Sequence, residues 1–135
     1  MLITGEIEPG IRIGKFRIGA KKEDILSEID DRYTVWERED GFSIYTFDNY
    51  MLWFEADGKL QQIGVTDGFK GSYKSVRIGT TMKEIKAVFG NYENDHDVYE
   101  ISGLKGLCFE LGDMDDRDDW DELETPIEWI FVYRC

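Results

Sequence analysis

The residues best suited to chemistry are carboxylates, and one stretch concentrates them. From Asp113 to Glu124 the chain reads Asp-Met-Asp-Asp-Arg-Asp-Asp-Trp-Asp-Glu-Leu-Glu, eight carboxylates with a single arginine. Clustered carboxylates can hold a hard cation through oxygen, or meet the Arg and Lys side chains of a partner. A calcium-loop register starting at Asp113 puts Asp115 third and Glu124 twelfth. Arg117 then fills the fifth position, and Asp118 stands where such a loop needs its turn glycine. The stretch reads as a surface segment, either simply solvated or offered to a basic partner. Its candidate contacts are Asp113, Asp115, Asp116, Asp118, Asp119, Asp121 and Glu122. Trp120 among them is either tucked back onto the core or presented as an anchor.

Other reactive side chains are sparse. His96, in Asp95-His96-Asp97, is the single histidine, and no serine or cysteine nucleophile signature accompanies it. It fits a surface turn before Val98. Cys108 lies in the apolar run Leu107-Cys108-Phe109 and Cys135 is the last residue, which suits a buried small hydrophobe and a terminal thiol. The glycines Gly5, Gly10, Gly14 and Gly19 are not followed by Gly-Lys-Ser/Thr, so they read as turn points and not as a phosphate cradle. No enzyme, cofactor or protein-bound metal is expected from this inventory.

Charge narrows the partners. The 135 residues carry 29 acidic and 16 basic side chains, a formal net charge of -13. Nucleic acid and anionic membrane surfaces would be repelled, whereas a basic protein would be attracted. No run of apolar residues approaches the length of a membrane span, and the first residues lack the pattern of a secretory signal. The expected location is therefore cytoplasmic.

The elements that must position these residues follow from periodicity. Phe16-Arg17-Ile18-Gly19 through Ile25 aligns, sixty residues on, with Val76-Arg77-Ile78-Gly79 through Ile85. Each segment has a strand-like run, a glycine and a helix start. Ile25, Leu26 and Ile29 share one helical face, as do Ile85, Val88 and Phe89. Thr80 or Thr81 suits an N-cap, and Gly90 a helix stop. Strands are expected at 33–38, 42–47, 50–55 and 60–66, then at 98–102, 107–111 and 127–133, with Asp-Gly and Asp-Asn turns between those of the first set. The sequence thus predicts one α+β domain over residues 1–135. It would comprise two tandem helix-plus-antiparallel-meander repeats, at about 12–66 and 73–133, forming one sheet with helices on one side. A single helical layer would leave some aromatic residues uncovered. Trp36, Tyr50 and Trp53 are the expected binding surface on the sheet.

Ile18-Gly19 with Asp24-Ile25, and Phe54-Glu55 with Gly58-Lys59-Leu60-Gln61-Gln62-Ile63, resemble the β-lactamase-inhibitor-protein-like repeat over nearly the whole chain. The chain lacks the lipobox cysteine of the lipoprotein branch and the paired cysteines of the secreted inhibitors. What the resemblance implies is non-catalytic protein–protein binding, closest to the cytosolic toxin-immunity proteins. The expected function is an immunity protein that neutralises a basic, nuclease-like toxin domain, as a monomer or weak homodimer. A calcium- or ligand-responsive binding module is the alternative.

Overall fold

The computed structural model describes residue 2 and residues 4–112 and 121–135. Three short strands open the chain: β1 (Ile7–Glu8), β2 (Arg12–Ile13) and β3 (Phe16–Arg17), paired antiparallel in that order. Gly10 and Gly14 take positive φ at their turns, a region glycine enters without steric cost. This small sheet was absent from the expectation, because two-residue strands carry no readable alternation. Its Ile7, Ile13 and Phe16 are nevertheless core residues.

Helix α1 (Lys22–Leu26) follows, then β4 (Thr34–Glu37), β5 (Ser43–Thr46), β6 (Tyr50–Phe54) and β7 (Leu60–Val65). Helix α2 (Met82–Phe89) leads into β8 (Tyr92–Asp95), β9 (Val98–Ile101), β10 (Leu107–Leu111) and β11 (Ile127–Tyr133). The cap of α2 is a reciprocal capping box. The Thr81 hydroxyl accepts from the Glu84 amide, and the Glu84 carboxylate accepts from the Thr81 amide at 2.9 Å. Gly90, at φ 91°, ends the helix. Helix α1 has no side-chain cap and only five residues, so Ile29 contributes to the core from beyond its end.

The architecture is α+β, with one eight-stranded antiparallel sheet ordered β4-β5-β6-β7-β11-β10-β9-β8. Two tandem repeats lying one after the other is not the arrangement. The second four strands enter in reverse order, so that β11 joins β7, and the three-stranded sheet precedes α1 alone. Strand β8 was also unexpected. It is an edge strand of largely exposed polar residues, so no apolar period marks it.

The pairing register assigns the faces. Leu52 sits opposite Ile63, Ile63 opposite Val132, Val132 opposite Leu107, and Phe109 opposite both Ile130 and Tyr99. These residues face inward with Tyr50, Phe54, Leu60 and Val65, and join Ile25, Met82 and Ile85 of the helices in one core. Strand side chains alternate, so the intervening residues form an outward face. No helix among the described residues is long and apolar enough to cross a membrane.

Candidate binding face

The outward face is apolar at one end and acidic at the other. At the apolar end the register lines up Trp36, Ile44, Trp53, Gln62 and Tyr133 in one row. Thr34, Thr46, Met51, Gly64, Phe131 and Cys108 form the next row. Gly64 matters here. A side chain at that position would come within 2.8 Å of the Phe131 ring, so the missing Cβ lets Phe131 lie against the backbone of β7. Trp129 stacks on Phe131 at 5.7 Å and 5°, and Trp53 meets the same ring edge-on at 5.8 Å and 75°. Offset-stacked and edge-on contacts suit the ring quadrupoles, so the three rings form a fixed platform. Phe131 is buried beneath it, while Trp53 and Trp129 remain partly exposed.

The acidic end comprises Glu110 on β10, Glu100 on β9, and Glu93 and Asp95 on β8, with Asp97 in the β8–β9 turn. Glu93 stands directly opposite Glu100, a repulsive cross-strand pair. The Tyr133 hydroxyl donates to the Glu100 carboxylate across the boundary between the two ends. Burial, then repulsion from Asp97 and Glu128, raises the Glu110 pKa above the ordinary carboxylate range. Among the described residues, no outward position fixed by the register is Lys or Arg. The carboxylates of this face therefore have no neutralising cation in their own rows.

The expected site residues divide between the two sides of the sheet. Trp36 and Trp53 are on the outward face; Trp36 is 64% exposed and is separated from Trp53 in its row by Ile44. Tyr50 corrects the expectation. It points inward, is 1% exposed, stacks on Phe47 at 4.3 Å and donates its hydroxyl to Asp31 at 2.8 Å. Burial and that carboxylate together raise its pKa. No partner can reach Tyr50 without opening the core.

Asp113, Asp115, Asp116, Asp118, Asp119 and Trp120 lie outside the described residues. Asp121 is a turn residue: its Oδ1 accepts from the Leu123 amide at 3.0 Å, and its carbonyl accepts from the Thr125 amide and hydroxyl. Glu122 is half-buried and already bonded within the fold. Its carboxylate accepts hydroxyl hydrogen bonds from Tyr92 at 2.5 Å and from Tyr99 at 2.8 Å, two residues of the inward side. Burial and Glu122 together raise the Tyr92 pKa to about 12, and raise that of Tyr99 as well. The neighbouring Leu123 carbonyl accepts from the Lys83 amide in α2. Residues 121–124 are thus anchored on the helix side, with the Glu122 oxygens already engaged.

Trp129 and Phe131 were missed in the sequence. The run Ile127–Tyr133 is apolar at six of its seven positions, so it shows no alternation that assigns a face. His96 occupies the β8–β9 turn at φ 58°, fully exposed, with Nδ1 2.8 Å from Asp95 Oδ1. Cys108 is buried and its thiol is pushed up to about 12, chiefly by desolvation, which keeps it protonated and unreactive. Among the described residues, no group of three or more His, Cys, Asp or Glu side chains is placed to hold a metal.

Two solved structures share the fold. The uncharacterized protein yfeY from Escherichia coli is 13% identical with a TM-score of 0.60, and the match covers 99% of this chain and 100% of that one. A cysteine-rich secretory protein (SAV1118) from Staphylococcus aureus subsp. aureus Mu50 is also 13% identical, with a TM-score of 0.55. That match covers 98% of this chain, which spans 50% of the staphylococcal chain. No protein-family model matches the sequence. No curated protein matches it either.

Proposed function

We propose that this chain is a non-catalytic protein-binding protein whose outward sheet face receives a basic segment of another protein. One observation carries the reading: an aromatic platform borders a field of carboxylates, and among the described residues no outward position fixed by the strand register carries a cation. Arginine and lysine suit such a boundary. Their charged heads can sit over Trp53 or Trp129 by cation–π attraction while bonding to Glu100 or Glu110. The apolar stems of these side chains would cover the rings. Rigid, partly exposed tryptophans are typical anchors of protein interfaces, and surrounding carboxylates speed the encounter with a positive partner.

The biological form of this activity that we favour is neutralisation of a basic toxin domain by an immunity protein. The net charge of -13 is in keeping with it. The binding site is the sheet face and not the helix side, where Tyr50 and Glu122 are committed to the fold.

Co-expression with the basic C-terminal domain of a large protein encoded beside this one is the direct test. Expected are a complex that loosens as salt rises, toxicity of the partner when expressed alone, and a Kd raised about tenfold or more by Trp53→Ala. A complex indifferent to both Trp53→Ala and salt would place binding elsewhere on the molecule.

A further inference from the structure

The two edges of the large sheet differ, and the difference points to a second copy of the chain. Among the described residues, strand β4 is the free edge at the apolar end, and all four of its residues, Thr34-Val35-Trp36-Glu37, are exposed. Tyr33 beside it is 47% exposed and Val35 43%. The β4–β5 pairing contains no bulge, so this edge is regular. An open hollow of about 540 Å³, lined by Trp36, Glu37, Arg38, Glu39 and Asp40, runs alongside it. A flat edge with unpaired amides and apolar side chains is a template for strand addition unless something blocks it.

The backbone says which groups are free. The Arg38 amide donates to the Phe42 carbonyl on the β5 side. By antiparallel alternation the amides of Thr34 and Trp36 also face β5, while those of Tyr33, Val35 and Glu37 point to the open side. A two-fold axis perpendicular to the sheet keeps inward residues opposite inward residues, which permits only registers of even offset. Centring the axis on Val35 sets Arg32 against Arg38 and Thr34 against Trp36. Centring it on Trp36 pairs Val35 with Glu37 of the other copy, twice, through amides and carbonyls that already point outward. It also places the two Trp36 side chains opposite each other at a non-hydrogen-bonded position, where cross-strand side chains come closest. Arg32 of each copy is then brought toward Glu39 and Asp40 of the other. Both registers use the open-side amides and carbonyls, and charge selects the one centred on Trp36.

We propose that the protein forms a two-fold dimer by antiparallel pairing of β4 with β4 of a second copy, centred on Trp36. The acidity of the chain does not prevent it. Strand β8 lies seven strand spacings from β4, about 34 Å at about 4.8 Å each. That exceeds several times the screening length of about 8 Å at physiological salt. At the edge itself Arg32 and Arg38 stand against Glu37, Glu39 and Asp40, close to balance. This assignment is independent of the proposed outward-face activity and requires no other protein.

Sedimentation velocity on the full chain across a concentration series, in physiological salt, measures the equilibrium. Wild type should show a reversible monomer–dimer transition. Val35→Pro removes an amide that faces the open side and leaves the β4–β5 ladder intact, so it should weaken the dimer about tenfold or more. Trp36→Ala, at a largely exposed position, should do the same. Arg32→Glu should weaken it less. Circular dichroism should show an indole–indole couplet that grows with concentration and vanishes in Trp36→Phe. A monomer at every concentration would overturn the proposal, as would a dimer that both Val35→Pro and Trp36→Ala leave unchanged.

Discussion

The two ends of the eight-stranded sheet solve the same problem in different ways. At the β4–β7 end, outward residues are uncharged and mostly apolar, and the edge strand is regular, exposed and nearly neutral. At the β10–β8 end, the outward residues are largely carboxylates, and the edge strand β8 reads Tyr-Glu-Asn-Asp. Charge along an edge discourages a further strand from adding, so β8 protects itself and β4 does not. The inward sides differ too. Tyr50 donates its hydroxyl to Asp31, whereas Tyr92 and Tyr99 converge on the single carboxylate of Glu122. A protein that defended both edges equally would have no reason to leave Trp36 in solvent. Under the two proposals, contact falls to one end and electrostatic selection to the other.

The largest effect should come from the shared carboxylate. Glu122→Ala strands two hydroxyls and releases the anchor of residues 121–124, and should cost about 2–4 kcal/mol. Tyr50→Phe removes one hydroxyl at the opposite end and should cost about 1 kcal/mol. Urea unfolding of both variants measures the contrast, and equal losses would mean that the two ends are held alike. Next comes the platform. Gly64→Ala forces a methyl into the Phe131 ring, so about 1–2 kcal/mol should be lost, with a change in tryptophan emission as Trp129 loses its stacked neighbour. Unchanged emission would show that the ring stack does not depend on the bare backbone beneath it.

The smallest effect concerns the acidic end, and its sign is informative. The Glu110 pKa is raised in the folded state, so the fold favours its neutral form. Its contribution is therefore most favourable below the ordinary carboxylate pKa and is lost as pH rises through the raised one. Glu110→Gln should accordingly raise the melting temperature modestly at pH 7 and leave it unaltered near pH 3. A rise of the same size at both values would point to packing and not to charge.

Sequence patterns located much of this architecture. The strands over 33–38, 42–47, 50–55, 60–66, 98–102, 107–111 and 127–133 were visible because apolar residues recur beside turn chemistry, and β4–β7 and β9–β11 lie within those spans. The cap at Thr81 and the stop at Gly90 were readable for the same local reason. Strand β8 and the three-stranded sheet were not, since polar edge residues and two-residue strands leave no period to read. Tyr50 illustrates a signal that was present and passed over. It stands two residues from Leu52 and four from Phe54, so strand alternation alone places it with the core.

What the sequence determined by itself is local: where strands and helices begin, how much charge the chain carries, and that an acidic segment is placed late in it. Tertiary structure alone decided which side chains meet. It seated Phe131 against Gly64, drew Glu122 beneath two tyrosines, and set the carboxylates of β8–β10 beyond an aromatic platform built from β6 and β11. Such pairings depend on the order of strands across the sheet. That order is fixed by long-range packing, to which a period of two along the chain is blind.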